Sequence, residues 1–230
     1  MILAFYGRRN AGKDTAANLF RLAILFRASG AYHSNMLVYT HESLRAFLAE
    51  ENDSALRNML NWKIIENTRL NGWIKFCSFS ARIHEMTSLL TGVPLETCLD
   101  RKFKDVMIPV GFNKTLRQIM IDIGEGLRAS YGADVWVTPV LNAIAQNPGK
   151  VFIVPGMRHP NEYAAMKALG AIFVKVKSDF EEVAGAEEAE GLLEDHEFNL
   201  VLHNVKDDLT AMWTWIVSMV FSLDAKLFKV

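Results

Sequence analysis

The residues with the clearest chemical spacing are Gly7-Arg8-Arg9-Asn10-Ala11-Gly12-Lys13-Asp14-Thr15. Two glycines bound a short loop, a lysine follows the second, and a hydroxyl comes two positions after the lysine. Gly7 and Gly12 let the backbone bend and come close to an anion. Backbone N–H groups of such a loop, with the positive end of a following helix, make a phosphate cradle. Lys13 adds a mobile point charge able to reach the outer phosphates. The usual pattern puts Ser or Thr directly after the lysine; here Asp14 intervenes and Thr15 carries the hydroxyl.

For that cradle to work, a strand must precede it and a helix must follow. The apolar run Met1 to Tyr6 predicts a buried strand, and Ala16 to Arg27 predicts a helix. Further on, Trp73 to Phe79 is expected to be the second strand, after the Asn71-Gly72 turn. A helix over 81–90 is expected to be capped by Ser80 and stopped by Gly92-Val93-Pro94, with a short helix over 95–99 behind it. The stretch Asp100 to Asp105 is expected to be exposed. Thr115 is expected to cap a long helix from Leu116 towards Ser130, and another helix is expected from about Asp134 to Gln146, where Pro139 is tolerated near the start. Strands are predicted over 150–154, 171–176 and 198–202, with helices over 161–169 and 207–225. Two further helices are expected over 41–51 and 53–70. Between Asp179 and Glu197 there are many carboxylates and no Lys or Arg, which predicts a solvated, mobile loop. Strands alternating with helices predict an α/β fold with a mostly parallel sheet covered on both faces.

A chain of 230 residues, half of them hydrophobic, suits one domain or one domain with a large insertion. With 25 Lys and Arg against 26 Asp and Glu, nothing global points to nucleic acid or an acidic membrane. Cys77 and Cys98 offer neither a metal spacing nor a disulfide framework, in keeping with a reducing cytoplasm. The opening apolar run lacks a basic segment before it and is not read as a signal peptide. Leu209 to Leu223 is shorter than the roughly 20 residues of a membrane span. It is expected to be a closing helix, whose apolar face could make a homodimer interface.

Four blocks in order resemble the phage deoxynucleoside monophosphate kinase family, within the P-loop kinases. They are Gly7 to Thr15; Thr115 to Gln118 through Gly124, Arg128 and Asp134 to Val137; Phe152 to Glu162 followed by Met166 to Val176; and Phe198 to Asn204. The first is specific alone and the others as an ordered set; residues 31–72 match nothing in the pattern. The resemblance implies a P-loop NTPase fold with a five-stranded parallel sheet of order 2-3-1-4-5. One domain would span 1–230, with a helical acceptor-binding region over 80–147 and a lid-like loop over 178–197.

The resemblance also implies roles. ATP and Mg²⁺ would be held by Gly7, Asn10, Ala11, Gly12, Lys13, Asp14, Thr15 and Asn204, with Thr15 and Asp14 nearest the metal. An acceptor monophosphate carries close to two negative charges and needs arginines. Arg117 and Arg128 lie eleven positions apart, about three helical turns, and could share one face. Arg158 lies beyond the third strand's C-terminal end, where ligands bind in open α/β sheets. Glu162 could orient it, and Arg82 is a lesser candidate. Asp134 and Trp136 could shape the acceptor pocket, although Trp136 could equally be core packing. His84 is expected to be structural or exposed. In catalysis the resemblance would assign Lys13, Arg117, Arg128 and Arg158. Two departures stand out. Gly156 occupies the place of an acidic residue, for which Asp14 or Glu162 could substitute, and the lid stretch has no arginine. Another phosphorylated metabolite as acceptor, or a catalytically silent nucleotide binder, are the alternative readings; a nucleic-acid motor ranks last.

Overall fold

The computed structural model describes residues 1–28, 44–45, 72–178, 191–205 and 208–223. They fall into two compact units, one formed by Met1–Phe76 with Asn147–Val230 and the other by Cys77–Gln146.

The first unit is built on five parallel strands: β1 (Ile2–Tyr6), β2 (Ile74–Phe76), β3 (Val151–Val154), β4 (Ile172–Ser178) and β5 (Leu200–Asn204), in the order β2-β3-β1-β4-β5. This is the strand order expected from the sequence. All five residues of the central β1 are buried, as a strand with both faces covered requires. On one face α1 (Lys13–Ala28) packs against the last helix of the chain, Leu209–Ser222. Phe5, Phe20, Phe26 and Trp213 fill the layer between them, with edge-to-face rings at Phe5–Phe20 and Phe26–Trp213. On the other face the helix Pro160–Ala168 contributes Tyr163, stacked on Phe173 at 4.3 Å.

The second unit is helical. It contains α2 (Ala81–Thr91), α3 (Leu95–Leu99), α4 (Arg101–Lys104), α5 (Leu116–Tyr131), a single 3₁₀ turn (Ala133–Val135) and α6 (Val137–Ala145). The two helices already described in the first unit are therefore α7 (Pro160–Ala168) and α8 (Leu209–Ser222). The second unit's small core joins Val93, Cys98, Leu116 and Met120. At Gly124 the helices α2 and α5 pack closely enough that a Cβ would touch Cδ1 of Ile83 at 3.4 Å, an ordinary contact.

Several elements differ from the sequence reading. Ser80 starts α2 without a side-chain cap and instead shares a 3.0 Å hydrogen bond with Ser78. Thr115 does cap α5, in a reciprocal box with Gln118. The stretch expected to be merely exposed over 100–105 winds into α4, because the Asp100 carboxylate accepts from the Lys102 N–H at 2.8 Å. Of the helices expected over 41–51 and 53–70, only Leu44 and Arg45 fall within the described residues; both are helical and Leu44 is fully buried. The exposed stripe of α8 is Ala211, Thr214, Ser218 and Ser222, so this face is small and polar rather than the apolar dimer surface expected. Among the described residues, no helix is long and apolar enough to cross a membrane.

Candidate phosphate-binding site

The loop after β1 is shaped by contacts on both sides. At Gly7 a Cβ would lie 2.4 Å from the Val176 carbonyl of β4, so only glycine fits. Gly12 has φ +90°, and a Cβ there would lie 2.5 Å from Nδ2 of Asn204. Asn10 takes the left-handed conformation at φ 64°, which asparagine tolerates better than most residues. The Ala11 N–H donates to the Arg8 carbonyl at 3.1 Å, and the Ala16 N–H donates to Gly12 at 2.9 Å as α1 begins. Asn204, the last residue of β5, donates through Nδ2 to the Ala11 carbonyl at 3.0 Å. The Lys13 ammonium donates to the carbonyls of Gly7 and Arg8 at 2.5 and 2.6 Å. The first N–H groups of α1 have no acceptors within the helix. Loop, lysine, helix end and Asn204 are thus brought together at the C-terminal edge of the sheet. Asp14 is exposed and Thr15 half-buried on the first turn of α1.

Beyond β3 the chain turns at Gly156, with φ +74°. Glu162, almost fully buried, accepts from the backbone N–H groups of Arg158 and His159 at 2.8 and 3.1 Å. Its carboxylate therefore shapes the turn and starts α7.

Arg82, Arg117, Arg128, Asp134 and Trp136 belong to the second unit. Arg117 forms a two-point ion pair with Asp105. Arg128, at the other end of α5, donates to the Ala133 carbonyl at 3.3 Å and lies 3.7 Å from Glu125. Arg82 pairs with Glu85 at 2.6 Å on an exposed face. Asp134 is exposed in the 3₁₀ turn. Of the two readings of Trp136, the structure favours packing: the side chain is buried and its indole N–H donates to the Gly124 carbonyl at 3.0 Å. His84 meets Lys104 through Nε2 at 3.0 Å.

Sequence reasoning missed a charged cluster beside the loop. Lys175, in the middle of β4 and only 9% exposed, donates to the Glu194 carboxylate at 2.6 Å and to its carbonyl at 3.0 Å. The same carboxylate accepts from Arg8 at 3.0 Å and from the Tyr6 hydroxyl at 3.1 Å. Burial pushes the Glu194 pKa up, but the hydrogen bonds from Lys175, Arg8 and Tyr6 and the charge of Lys175 outweigh it and leave the pKa lowered. Residues 191–197, the end of the stretch expected to be a solvated, mobile loop, are therefore anchored, with Leu193 fully buried; residues 179–190 lie outside the described residues. A signal was present: a lysine inside the apolar run Ile172 to Val176 requires a buried acceptor.

Among the described residues no three His, Cys, Asp or Glu side chains converge as a metal-binding group. Protein-family models and curated proteins give no match to this chain.

Proposed function

We propose that the chain is a P-loop kinase that phosphorylates a deoxynucleoside 5′-monophosphate from ATP. One observation carries this reading: the strand–loop–helix arrangement of Gly7 to Thr15, with Lys13 held against the loop and Asn204 closing its far side. The four ordered blocks of resemblance support the choice of acceptor.

The chemistry is positioning and charge neutralisation. An oxygen of the acceptor phosphate attacks the γ-phosphorus in line. The bond from that phosphorus to the β-bridging oxygen breaks, and ADP leaves with the electron pair. Lys13 exchanges the carbonyls of Gly7 and Arg8 for phosphate oxygens, while the loop N–H groups hold the β-phosphate. Magnesium in such sites takes one or two protein oxygens beside phosphates and water. The Thr15 hydroxyl and the Asp14 carboxylate are hard oxygen donors of the right kind and would hold it. Bound there, Mg²⁺ would supply charge neutralisation on the β- and γ-oxygens. On the acceptor side, Arg158 stands at the C-terminal end of β3, and Arg117 and Arg128 are the candidates in the second unit.

The test is ADP production from Mg·ATP across deoxyribo- and ribonucleoside monophosphates. Turnover with at least one deoxynucleotide is expected, falling at least about 100-fold in Lys13→Ala, since a loop cation contributes several kcal/mol to this transition state. ATP binding without phosphorylation of any monophosphate would overturn the reading.

A further inference from the structure

Tyr6 and Lys175 are partners in the β1–β4 pairing. Their side chains therefore leave the sheet on the same face, beside Gly7, where the loop opens. The Glu194 carboxylate joins them. Its Oε2 accepts from the Lys175 ammonium at 2.6 Å, and its Oε1 accepts from the Tyr6 hydroxyl at 3.1 Å and from Nε of Arg8 at 3.0 Å. Tyr6 and Lys175 are buried, whereas the Arg8 side chain is 50% exposed. Two buried donors thus fix a carboxylate whose third donor is a loop arginine.

An ordinary exposed arginine–carboxylate pair contributes little, because both partners are mobile and hydrated. Here the carboxylate is held on β1 and β4, so the guanidinium is oriented before any ligand arrives. The Lys175 ammonium balances Glu194, so the positive charge of Arg8 is not cancelled at the loop. Arg8 is also tied to Lys13: its carbonyl accepts from the Lys13 ammonium at 2.6 Å and from the Ala11 N–H at 3.1 Å. Phosphoryl transfer rests on neutralising charge spread over several oxygens. Between Asp179 and Glu197, the stretch after β4, there is no Lys or Arg to supply that charge.

We infer that Arg8 is a second phosphate-binding cation, oriented by Glu194 for the β- and γ-phosphates of the donor nucleotide. The inference rests on the kinase reading above and adds a cation on the donor side. Glu194 is the positioning residue: it engages the guanidinium through Nε, and phosphate oxygens meet the terminal N–H groups.

The experiment is titration calorimetry of the full chain, in Mg²⁺, with ATP and with inorganic tripolyphosphate, alongside the turnover assay. Wild type is compared with Arg8→Ala, Arg8→Lys, Arg9→Ala and the double variant Lys175→Met, Glu194→Gln. Arg8→Ala should weaken both ligands about 10- to 100-fold, as loss of a charge-assisted contact does. Arg8→Lys should recover part of the loss. Arg9→Ala, which removes an exposed charge next door, should cost less than about threefold. The double variant removes one charge of each sign and leaves the net charge at the loop unchanged. Its ATP affinity should stay about 3- to 10-fold below wild type even where its stability to urea is recovered. Unchanged binding in Arg8→Ala, a loss for ATP without a loss for tripolyphosphate, or an equal loss in Arg9→Ala overturns the assignment of Arg8. A double variant that binds ATP as wild type does overturns the positioning by Glu194. Arg8-dependent ATP binding in a wild type that phosphorylates no monophosphate sustains the cation and overturns the kinase reading. A wild type that binds neither ligand overturns both.

Discussion

Glu194→Gln should destabilise the protein by about 2–3 kcal/mol at pH 7. Removing one partner of a buried ion pair costs about 3–5 kcal/mol because the other charge is stranded. Here the stranded charge is Lys175, 9% exposed. Two features reduce the cost. Lys175 keeps the backbone carbonyl of residue 194 at 3.0 Å, and its ammonium lies 5.6 and 5.2 Å from the ring centres of Tyr6 and Phe198. The Glu194 side chain itself is 30% exposed, so water takes up part of the loss. Urea unfolding at pH 7 measures the difference. The double variant Lys175→Met, Glu194→Gln should recover most of it, since neither charge is then left alone. The pH dependence has a definite sign. A carboxyl whose pKa is lowered by folding from its ordinary 4.5 contributes stability above that value and loses it as pH falls through the folded value. The gap between wild type and Glu194→Gln should therefore be full at pH 6 to 7 and narrow below about pH 4.5. A cost under about 0.5 kcal/mol, typical of a surface pair, would refute the reasoning. So would a double variant whose losses simply add.

Two further outcomes follow from local geometry. Gly12→Ala forces a side chain into the left-handed region and against Asn204, a strain of about 1–3 kcal/mol; ATP affinity should fall about tenfold or more while far-ultraviolet dichroism stays unchanged. Cys98 is buried, and desolvation raises its thiol pKa, with Glu96 adding to the rise and Lys104 opposing it. In native protein at pH 8 a thiol reagent should therefore modify Cys77 and reach Cys98 only on unfolding, as mass spectrometry of the labelled chain would show.

What was legible in the sequence followed from local pattern. The five strands stand out because apolar runs between helical patterns belong to a buried parallel sheet. Their ends were less legible because long-range partners set them. β5 begins at Leu200, not at Phe198, because Asn199 turns its side chain into the sheet and accepts from the Phe173 N–H at 2.8 Å. Phe198 meanwhile leaves the strand to stack on Tyr6 at 5.3 Å. β2 was expected over 73–79 and pairs only over Ile74–Phe76, opposite Val151 to Ile153; Cys77 already belongs to the second unit. No periodicity reveals that Lys175 meets Glu194, or that the Trp136 indole finds the Gly124 carbonyl twelve positions back. The loop was the easier part, since its chemistry lies in consecutive residues.

The same distinction bears on the two substitutes the sequence left open for the missing acid at Gly156. That position turns at φ +74°, a conformation that favours glycine and strains an aspartate or glutamate. Glu162 is four residues from Arg158 and has the right charge, but its carboxylate is buried and accepts two backbone N–H groups that would otherwise lie unsatisfied at the start of α7. Redirecting it towards a metal-bound water would leave both orphaned. Asp14 is exposed on the first turn of α1, beside Lys13 and Thr15. On the proposed reading, the acid that serves magnesium has moved from the end of β3 to the start of α1. The extra residue between Lys13 and Thr15, a departure from the usual motif, then supplies the charge that Gly156 lacks.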